Sequence, residues 1–295
     1  MICIHHNDAD GRCSAAIVKR WFEKSKDASS LEENNLRFCE MDYAKKLPND
    51  AVKKGEVVFI VDFSFKPEDM KPILDATDKI VWIDHHATAR DYDYGRPVGG
   101  LRDFKDKSMA ACELTWKHLF PDEPMPTAVK LIGDYDKFSL KLKPDCFRFY
   151  EGFKTQDQSP TSYAWNILLE RTESAEQSIE RLLETGSAAI AYRDAYCSDF
   201  CEQLGYETEL EGHECFAANM YRFGSMGFGD RMQKYPFCVA YVHDGRQFTV
   251  SLYSEKQDVD VSAIAKKHGG GGHKSAAGFM AKTLPFKPAS KGKKP

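Results

Sequence analysis

Val57–Thr88 reads VVFIVDFSFKPEDMKPILDATDKIVWIDHHAT. Two short apolar runs, VVFIVDF and KIVWIDHH, each lead into an acidic residue. Runs of this length, rich in Val and Ile, predict strands buried on both faces of a parallel sheet. The segment between them has room for one crossover helix, which parallel neighbours require. Asp62 and the Asp84-His85-His86 triplet are therefore expected side by side at the carboxyl ends of adjacent strands, where open α/β sheets hold their ligands.

Upstream, MICIHH (residues 1–6) reads as a strand that runs into NDADG and then SAAIVKRWFEKS. The latter has helical spacing, with Ala15, Val18 and Trp21 or Phe22 on one face. Asp8 and Asp10 are thus expected on a strand-to-helix loop, with His6 just before it. A second strand, LRFCEMDY (36–43), precedes the opening stretch. The alternation of strands and helices is that of a doubly wound sheet. Downstream, Ser108 reads as the N-cap of a helix over MAACELTWKHLF, and TAVKLIG leads to GDYDKF, with Asp134 and Asp136 at a helix end.

A long helical pattern covers residues 174–203, with Gly186 as its one weak point. From residue 204 the texture changes to the strands HECFAANM, FCVAYVHD and QFTVSLY, with a hairpin turn at His243-Asp244-Gly245-Arg246. VSAIAKKH reads as a short helix before Gly269–Gly272 and HKSAAGF. The expected class is α/β: a doubly wound, mainly parallel sheet domain over 1–173, a linking helix over 174–203, a smaller α+β domain over 204–286, and a solvated, disordered tail over 287–295.

Composition narrows the function. The 295 residues are 42% hydrophobic and 29% charged, with a net charge of −4 and a pI near 6.2. This balance argues against strong non-specific binding to duplex DNA while leaving room for a local basic pocket. No run approaches the ~18 apolar residues of a membrane span, and no signal peptide is apparent. The nine cysteines are scattered, without a CxxC pair, which suits reduced thiols and a cytoplasmic location.

The groups expected at the sheet edge are His6, Asp8, Asp10, Asp62, Asp84, His85, His86 and Asp134. So many carboxylates converge only with raised pKa values or bound cations. Imidazole mixed with carboxylate suits Mn²⁺, Co²⁺, Fe²⁺ or Zn²⁺ better than Ca²⁺, and there are donors enough for two ions. A DxDG alone is often a turn, a lone His pair is more often surface than ligand, and an isolated strand-end Asp is usually a helix cap. Their occurrence at successive strand ends, in this order, favours metal.

The ordered set HNDADG, VDFS, IDHH and GDYDKF resembles the four motifs of the DHH phosphoesterase superfamily, and GGGGHKSAAGF resembles the signature of its DHH-associated C-terminal domain. HNDADGRCSAAIV, IVDFSF and WIDHHAT are most similar to the branch of NrnB-type oligoribonucleases and cyclic-nucleotide phosphodiesterases. The resemblance implies roles. His6 and Asp8 would hold one Mn²⁺, Asp10 and His85 the other, and Asp62 would bridge both. Asp134 would complete the second ion's shell if Phe138 is aligned with the aromatic residue that often ends the fourth motif, and Asp136 is the alternative. His86 would face the scissile phosphate, and Asp84 would orient a histidine from behind, as metal-site imidazoles require. His5 is expected to point away, by strand alternation. Two Mn²⁺ ions, with Co²⁺ or Mg²⁺ as substitutes, are the implied cofactors, and a homodimer is implied in the same way.

Gly269–Gly272 by itself reads as a helix stop and loop. Followed by His273 and Lys274, the amides of Gly270, Gly271 and Gly272 read as a nest for phosphate, with the two side chains as charge-assisted donors. The resemblance likewise implies a grip on the terminal nucleotide. Many relatives carry Arg after Ser-Leu in the preceding strand, whereas this chain carries Tyr253, which can stack on a base but cannot clamp a phosphate as Arg does.

The functional expectation is a two-metal phosphodiesterase cleaving short single-stranded RNA to mononucleotides. Linear or cyclic dinucleotides, cyclic mononucleotides or pAp are alternative substrates for the same metals. A RecJ-like DNA exonuclease fits less well, because no extra nucleic-acid-binding domain is apparent. A non-catalytic adaptor on a decayed scaffold is disfavoured, because an acidic cluster without metals is costly and decay removes such ligands first.

Overall fold

The computed structural model describes residues 1–25, 36–43, 45–105 and 108–288. Most of the tail expected over 287–295 lies outside the described residues. The chain forms two compact units, Met1–Ala189 and Ile190–Pro295.

The first unit is built on four parallel strands: β1 (Ile2–His6), β2 (Arg37–Met41), β3 (Val58–Val61) and β4 (Ile80–Ile83). Their order is β2-β1-β3-β4. The connection from β1 leads outward to β2 on one side, while β3 and β4 continue on the other. The order therefore reverses between β1 and β3, and a crevice opens at the carboxyl ends of those two strands. His6 ends β1, and Asp62 follows β3.

Alternation sends the side chains of each strand to two cores. Ile2, Ile4, Val58, Ile60, Ile80 and Trp82 pack with Met70 and Ile73 of α2 (Pro67–Ala76). Cys3, Phe59, Val61 and Ile83 pack with Ala15 and Val18 of α1 (Ala9–Lys24) and Leu114 of α3 (Ala111–Leu119). Helices on both faces explain why β3 (VFIV) and β4 (IVWI) are apolar throughout rather than alternating. Each fully buried Val or Ile contributes about 1.5–3 kcal/mol relative to exposure. The doubly wound sheet expected from the sequence is the sheet observed.

Local chemistry differs from expectation at three places. Asp8 is the N-cap of α1, accepting from the Gly11 amide at 2.9 Å, so Asp10 lies in the first helical turn rather than on a loop. Gly11 is required there, since a Cβ would sit 2.4 Å from the His6 carbonyl oxygen. Ser108 is not the cap of α3; its hydroxyl donates to Asp103 at 2.7 Å. The α3 N-terminus begins at Ala111 and is capped from another element, with Asp10 accepting from the amides of Ala111 (2.8 Å) and Cys112 (2.7 Å).

α4 (Thr127–Asp136), α5 (Asp145–Phe153) and α6 (Tyr163–Leu168) lead to the 32-residue α7 (Glu173–Leu204). The unit boundary falls inside α7. Gly186, expected as a weak point, is where α7 meets α5: a Cβ would lie 1.7 Å from the Arg148 carbonyl oxygen, and one on Gly152 would lie 2.0 Å from that of Leu182.

The second unit is a six-stranded sheet ordered β5-β6-β7-β8-β10-β9. Its strands are β5 (Tyr206–Leu210), β6 (His213–Ala218), β7 (Cys238–His243), β8 (Phe248–Tyr253), β9 (Gly271–His273) and β10 (Ala276–Ala281). Only β6 and β7 run parallel. A short α8 (Arg231–Lys234) lies between β6 and β7, and α9 (Val261–Lys267) packs on the sheet through Val261, Ile264 and Ala265. The hairpin at 243–246 is present, with the Asp244 amide bonding to the Gln247 carbonyl at 3.2 Å.

Gly186→Ala has an expected sign opposite to the usual one. In an ordinary helix interior this change stabilises by about 1 kcal/mol. Here the crowded α5–α7 crossing should reverse it to a loss of about 1–3 kcal/mol, measured as a lower denaturation midpoint with an unchanged m-value.

Candidate metal centre

Asp62 is the hub of the site. It follows β3 with its amide still paired to the Ile83 carbonyl at 2.9 Å, but its φ is +55°, in the left-handed region that Asp tolerates better than most residues. The residue is 1% exposed, and both carboxylate oxygens are buried without a hydrogen-bond partner. Oδ2 lies 3.7 Å from His6 Nδ1. Oδ1 lies 3.3 Å from His85 Nε2 and 3.7 Å from His86 Nδ1. The two oxygens of one carboxylate thus address two different groups of side chains.

On one side, His6, Asp8 and Asp62 converge as a candidate metal-holding group, with His6 Nδ1 donating to Asp8 Oδ2 at 2.7 Å. On the other, Asp10, His85 and Asp136 converge: His85 Nε2 is 3.6 Å from Asp10 Oδ2 and 3.4 Å from Asp136 Oδ2. Asp62, His85 and His86 form a third, overlapping group.

Asp84 stands behind the histidines, fully buried. It accepts from the amides of His85 (2.8 Å) and His86 (3.3 Å), from His86 Nδ1 (2.8 Å) and from the Ser64 hydroxyl. Its partnership with Ser64 carries no mark in the sequence beyond Ser64 lying two residues after Asp62.

The electrostatics follow from this packing. Burial, then the carboxylates of Asp8 and Asp10, push the Asp62 carboxyl far above the usual range. Burial and Asp10 do the same to Asp136. Burial works against the charged form of His6, but Asp62 and Asp8 outweigh it and carry the imidazole up to about 10. His85 is likewise raised: burial opposes its charge, and Asp10 and Asp136 prevail. At Asp84 the donors from His86 and Ser64 overcome burial and hold the carboxyl below its ordinary range. His5 is buried, and burial lowers its pKa; it belongs to none of the three groups, as alternation requires. Protonated imidazoles and a protonated carboxyl are what this cluster must use when no cation balances it. A buried carboxylate with no donors, flanked by imidazoles and further carboxylates, is a donor set fitted to divalent transition metal.

Compared with known families, residues 1–132 match the description "DHH family, N-terminal domain". The chain is thus similar to that domain over residues 1–132. Uncharacterized protein R106 of Acanthamoeba polyphaga mimivirus is 26% identical over 295 residues, which covers 95% of this chain and 66% of the relative; the chain spans that share of the relative's length. Among solved structures, a DHH domain from a member of the s1p family of ribosomal proteins superposes with a TM-score of 0.61 at 14% identity, over 95% of this chain and 82% of that one. Exonuclease RecJ bound to manganese gives 0.54 at 13%, over 95% and 85%. RecJ from Thermus thermophilus in complex with Mn²⁺ gives 0.52 at 14%, over 95% and 49%. These likenesses establish the fold.

The expectation for the fourth motif, GDYDKF, needs correction. Asp134 is expected in the cluster, but its carboxylate is spent elsewhere: it accepts from the Ser139 hydroxyl, the Lys141 amide (3.0 Å) and the Leu142 amide (2.8 Å), tying down the segment after α4. Residues two apart on a helix point about 200° apart, so only one of Asp134 and Asp136 can face the sheet edge, and it is Asp136. Burial would raise the Asp134 carboxyl, but these donors hold it below the usual range. Tyr43, absent from the sequence-derived set, also borders the site, stacked on Phe63 at 4.7 Å and 5.6 Å from the His6 ring. Its place just past the end of β2 is the signal that could have found it.

In the second unit, the glycine run serves packing. The amides of Gly269 and Gly270 bond to the carbonyls of Lys266 (3.1 Å) and Ala265 (2.9 Å) and end α9, so the Gly270 amide is committed to the helix stop and not to an anion. A Cβ on Gly270 would meet the Gly278 carbonyl oxygen at 2.1 Å, and one on Gly272 would meet Ala277 Cα at 2.6 Å. Gly271 and Gly272 belong to the edge strand β9. His273 is exposed and pairs with Ala276, which pairs with Tyr253, so His273 and Tyr253 share a sheet face. Lys274 is exposed, and its carbonyl accepts from the Val261 amide at 3.0 Å.

Two substitutions separate the aspartates of α4. Asp136→Asn should weaken Mn²⁺ binding by at least about tenfold, read as loss of the Mn²⁺-induced rise in melting temperature. Asp134→Asn should keep that rise while lowering the metal-free stability by about 1–3 kcal/mol. At the hub, Asp62→Asn should raise the stability of the metal-free protein by about 1–3 kcal/mol, because the amide needs no counter-charge, and abolish the Mn²⁺ response.

Proposed function

We propose that the chain is a two-metal phosphodiesterase that hydrolyses short oligoribonucleotides to mononucleotides, with Mn²⁺ as the working ion. The observation that carries this reading is the Asp62 carboxylate: both oxygens buried and unpartnered, one directed to His6 and Asp8, the other to His85 and its acidic neighbours. In the proposal His6 and Asp8 would hold one ion, Asp10, His85 and Asp136 would hold the other, and Asp62, which borders both groups, would serve both. When bound, such a pair supplies Lewis acidity at the phosphoryl oxygens and an ionised water as nucleophile.

The remaining work falls to this chain's own side chains. Asp84, fixed by two backbone amides and Ser64, holds His86 through Nδ1. That hydrogen bond leaves His86 Nε2 as the nitrogen able to meet substrate, where it hands a proton to the leaving oxygen. Asp10 fixes α3 through both oxygens while its Oδ2 also lies 3.6 Å from His85 Nε2. Short substrates fit the composition, because a long nucleic-acid track needs a basic surface that a net charge of −4 does not supply. No helix among the described residues is long and apolar enough to cross a membrane.

Purified chain with Mn²⁺ should convert a 5′-phosphorylated diribonucleotide to mononucleotides. Asp62→Ala should reduce the rate by more than about 10³-fold, or ~4 kcal/mol of barrier. End-labelled RNAs of graded length, run beside cyclic dinucleotides and pAp, rank the substrates. An intact dinucleotide beside a hydrolysed cyclic substrate would transfer the assignment to the latter.

A further inference from the structure

Tyr43 stands on the rim of the metal centre without being one of its donors. β1 and β2 run parallel with His6 opposite Met41, so Tyr43, two residues further on, leaves the sheet beside the end of β1. One face of its ring is stacked on Phe63, at 4.7 Å and 21° between planes. Phe63 is buried, follows Asp62 directly, and has Phe65 packed edge-on against it at 4.9 Å. The Tyr43 ring is thus fixed from behind by the residue next to the hub. Its centre lies 5.6 Å from that of the His6 ring and 6.0 Å from that of His86. Tyr43 is nevertheless 58% exposed, and among the described residues Phe63 is the one ring stacked on it.

A single exposed aromatic ring is common and by itself means little. Here three conditions meet: the ring is backed by a buried ring, much of its surface is open, and it adjoins two imidazoles of the cluster. The ring carries no charge, so it adds nothing to the hold on a phosphate, which cations would supply. An uncharged, backed aromatic face recognises another flat ring, and stacking of this kind tolerates any base. In a nucleotide the base lies one sugar away from the phosphate. We propose that Tyr43 is the specificity residue of the site. It stacks on the base of one of the two nucleosides that flank the scissile phosphate. The substrate class is then nucleoside phosphodiesters of any base, and not polyphosphate or diesters of simple alcohols. The place of the phosphate beside His86 rests on the phosphodiesterase reading above; the stack uses residues of the first unit alone.

The test uses the full chain with Mn²⁺ and a 5′-phosphorylated diadenylate, beside two analogues in which one or the other adenine is replaced by hydrogen. The intact dinucleotide should exceed one of the analogues at least about tenfold in kcat/KM. Tyr43→Leu, which still covers Phe63, should lower kcat/KM for the intact dinucleotide by a similar factor, mainly through KM, and should make no difference with that analogue. Tyr43→Phe and Tyr43→Trp should stay within about threefold of the unchanged chain, since stacking uses the ring and not the hydroxyl. Binding is followed on the same preparations with an uncleavable methylenephosphonate dinucleotide carrying 2-aminopurine. Its fluorescence should be quenched by the unchanged chain and by Tyr43→Phe, and far less by Tyr43→Leu. The inference is overturned if both analogues match the intact dinucleotide, if the Tyr43→Leu loss persists undiminished with both analogues, or if Tyr43→Phe loses as much as Tyr43→Leu. Hydrolysis accompanied by any of these results sinks this proposal alone. Binding that depends on the base and on Tyr43, without hydrolysis, sinks the phosphodiesterase reading alone. A dinucleotide neither bound nor cleaved sinks both.

Discussion

The first unit is arranged around one electrostatic problem: a carboxylate placed at the centre of a sheet edge with nothing to donate to it. Removing an ionised carboxylate from water costs several kcal/mol unless an opposite charge accompanies it. Asp62 sits where β1 and β3 part, and the acids at the neighbouring strand ends add to the difficulty instead of relieving it. Two imidazoles respond: His6 and His85 are both pushed toward imidazolium. This is a partial remedy, since the same imidazoles are the lone-pair donors a cation would want. The metal-free state is thus a compromise, and a divalent pair would resolve it by freeing the histidines of their protons while neutralising the acids.

The hydrogen bonds around the cluster show how sharply roles are divided among chemically equal residues. Asp10, Asp62, Asp84 and Asp134 are all buried carboxylates. Asp84 is saturated with donors and acts as a fixed anchor for a histidine. Asp134 is saturated with donors and acts as a loop fastener. Asp10 is half committed, capping α3 while bordering the cluster. Asp62 has no donors at all. Donor count, more than burial or residue type, separates the structural acids from the one best suited to bridge cations.

Much of this was legible in the residues. β1, β3 and β4 follow from short Val- and Ile-containing runs, and the edge cluster follows from where His6, Asp62 and His85 fall at the ends of those runs. In the second unit β6, β7 and β8 were legible; β5, whose sequence YETEL alternates but is too polar to stand out, was not, and neither were β9 and β10, which looked like a glycine loop and its continuation. Three things were hidden. The choice between Asp134 and Asp136 depends on helical phase relative to the sheet, which spacing leaves free until α4 is docked. The cap of α3 comes from Asp10, a residue about a hundred positions earlier, so no local pattern marks it. Gly186 and the glycines before His273 looked like breaks or a nest, because sequence shows a missing side chain but not the backbone that fills its space.

The torsion at Asp62 narrows what inheritance can do with this position. A left-handed residue directly after a strand admits Asn, Asp or Gly with little penalty, and excludes β-branched or bulky replacements. Glutamate, the natural chemical understudy for an acid, meets an unfavourable backbone and brings one methylene more to a position only 1% exposed. Drift at the site therefore has two cheap exits, asparagine and glycine, and each deletes the charge outright. If Asp62 serves two cations as proposed, either replacement removes that service in a single step.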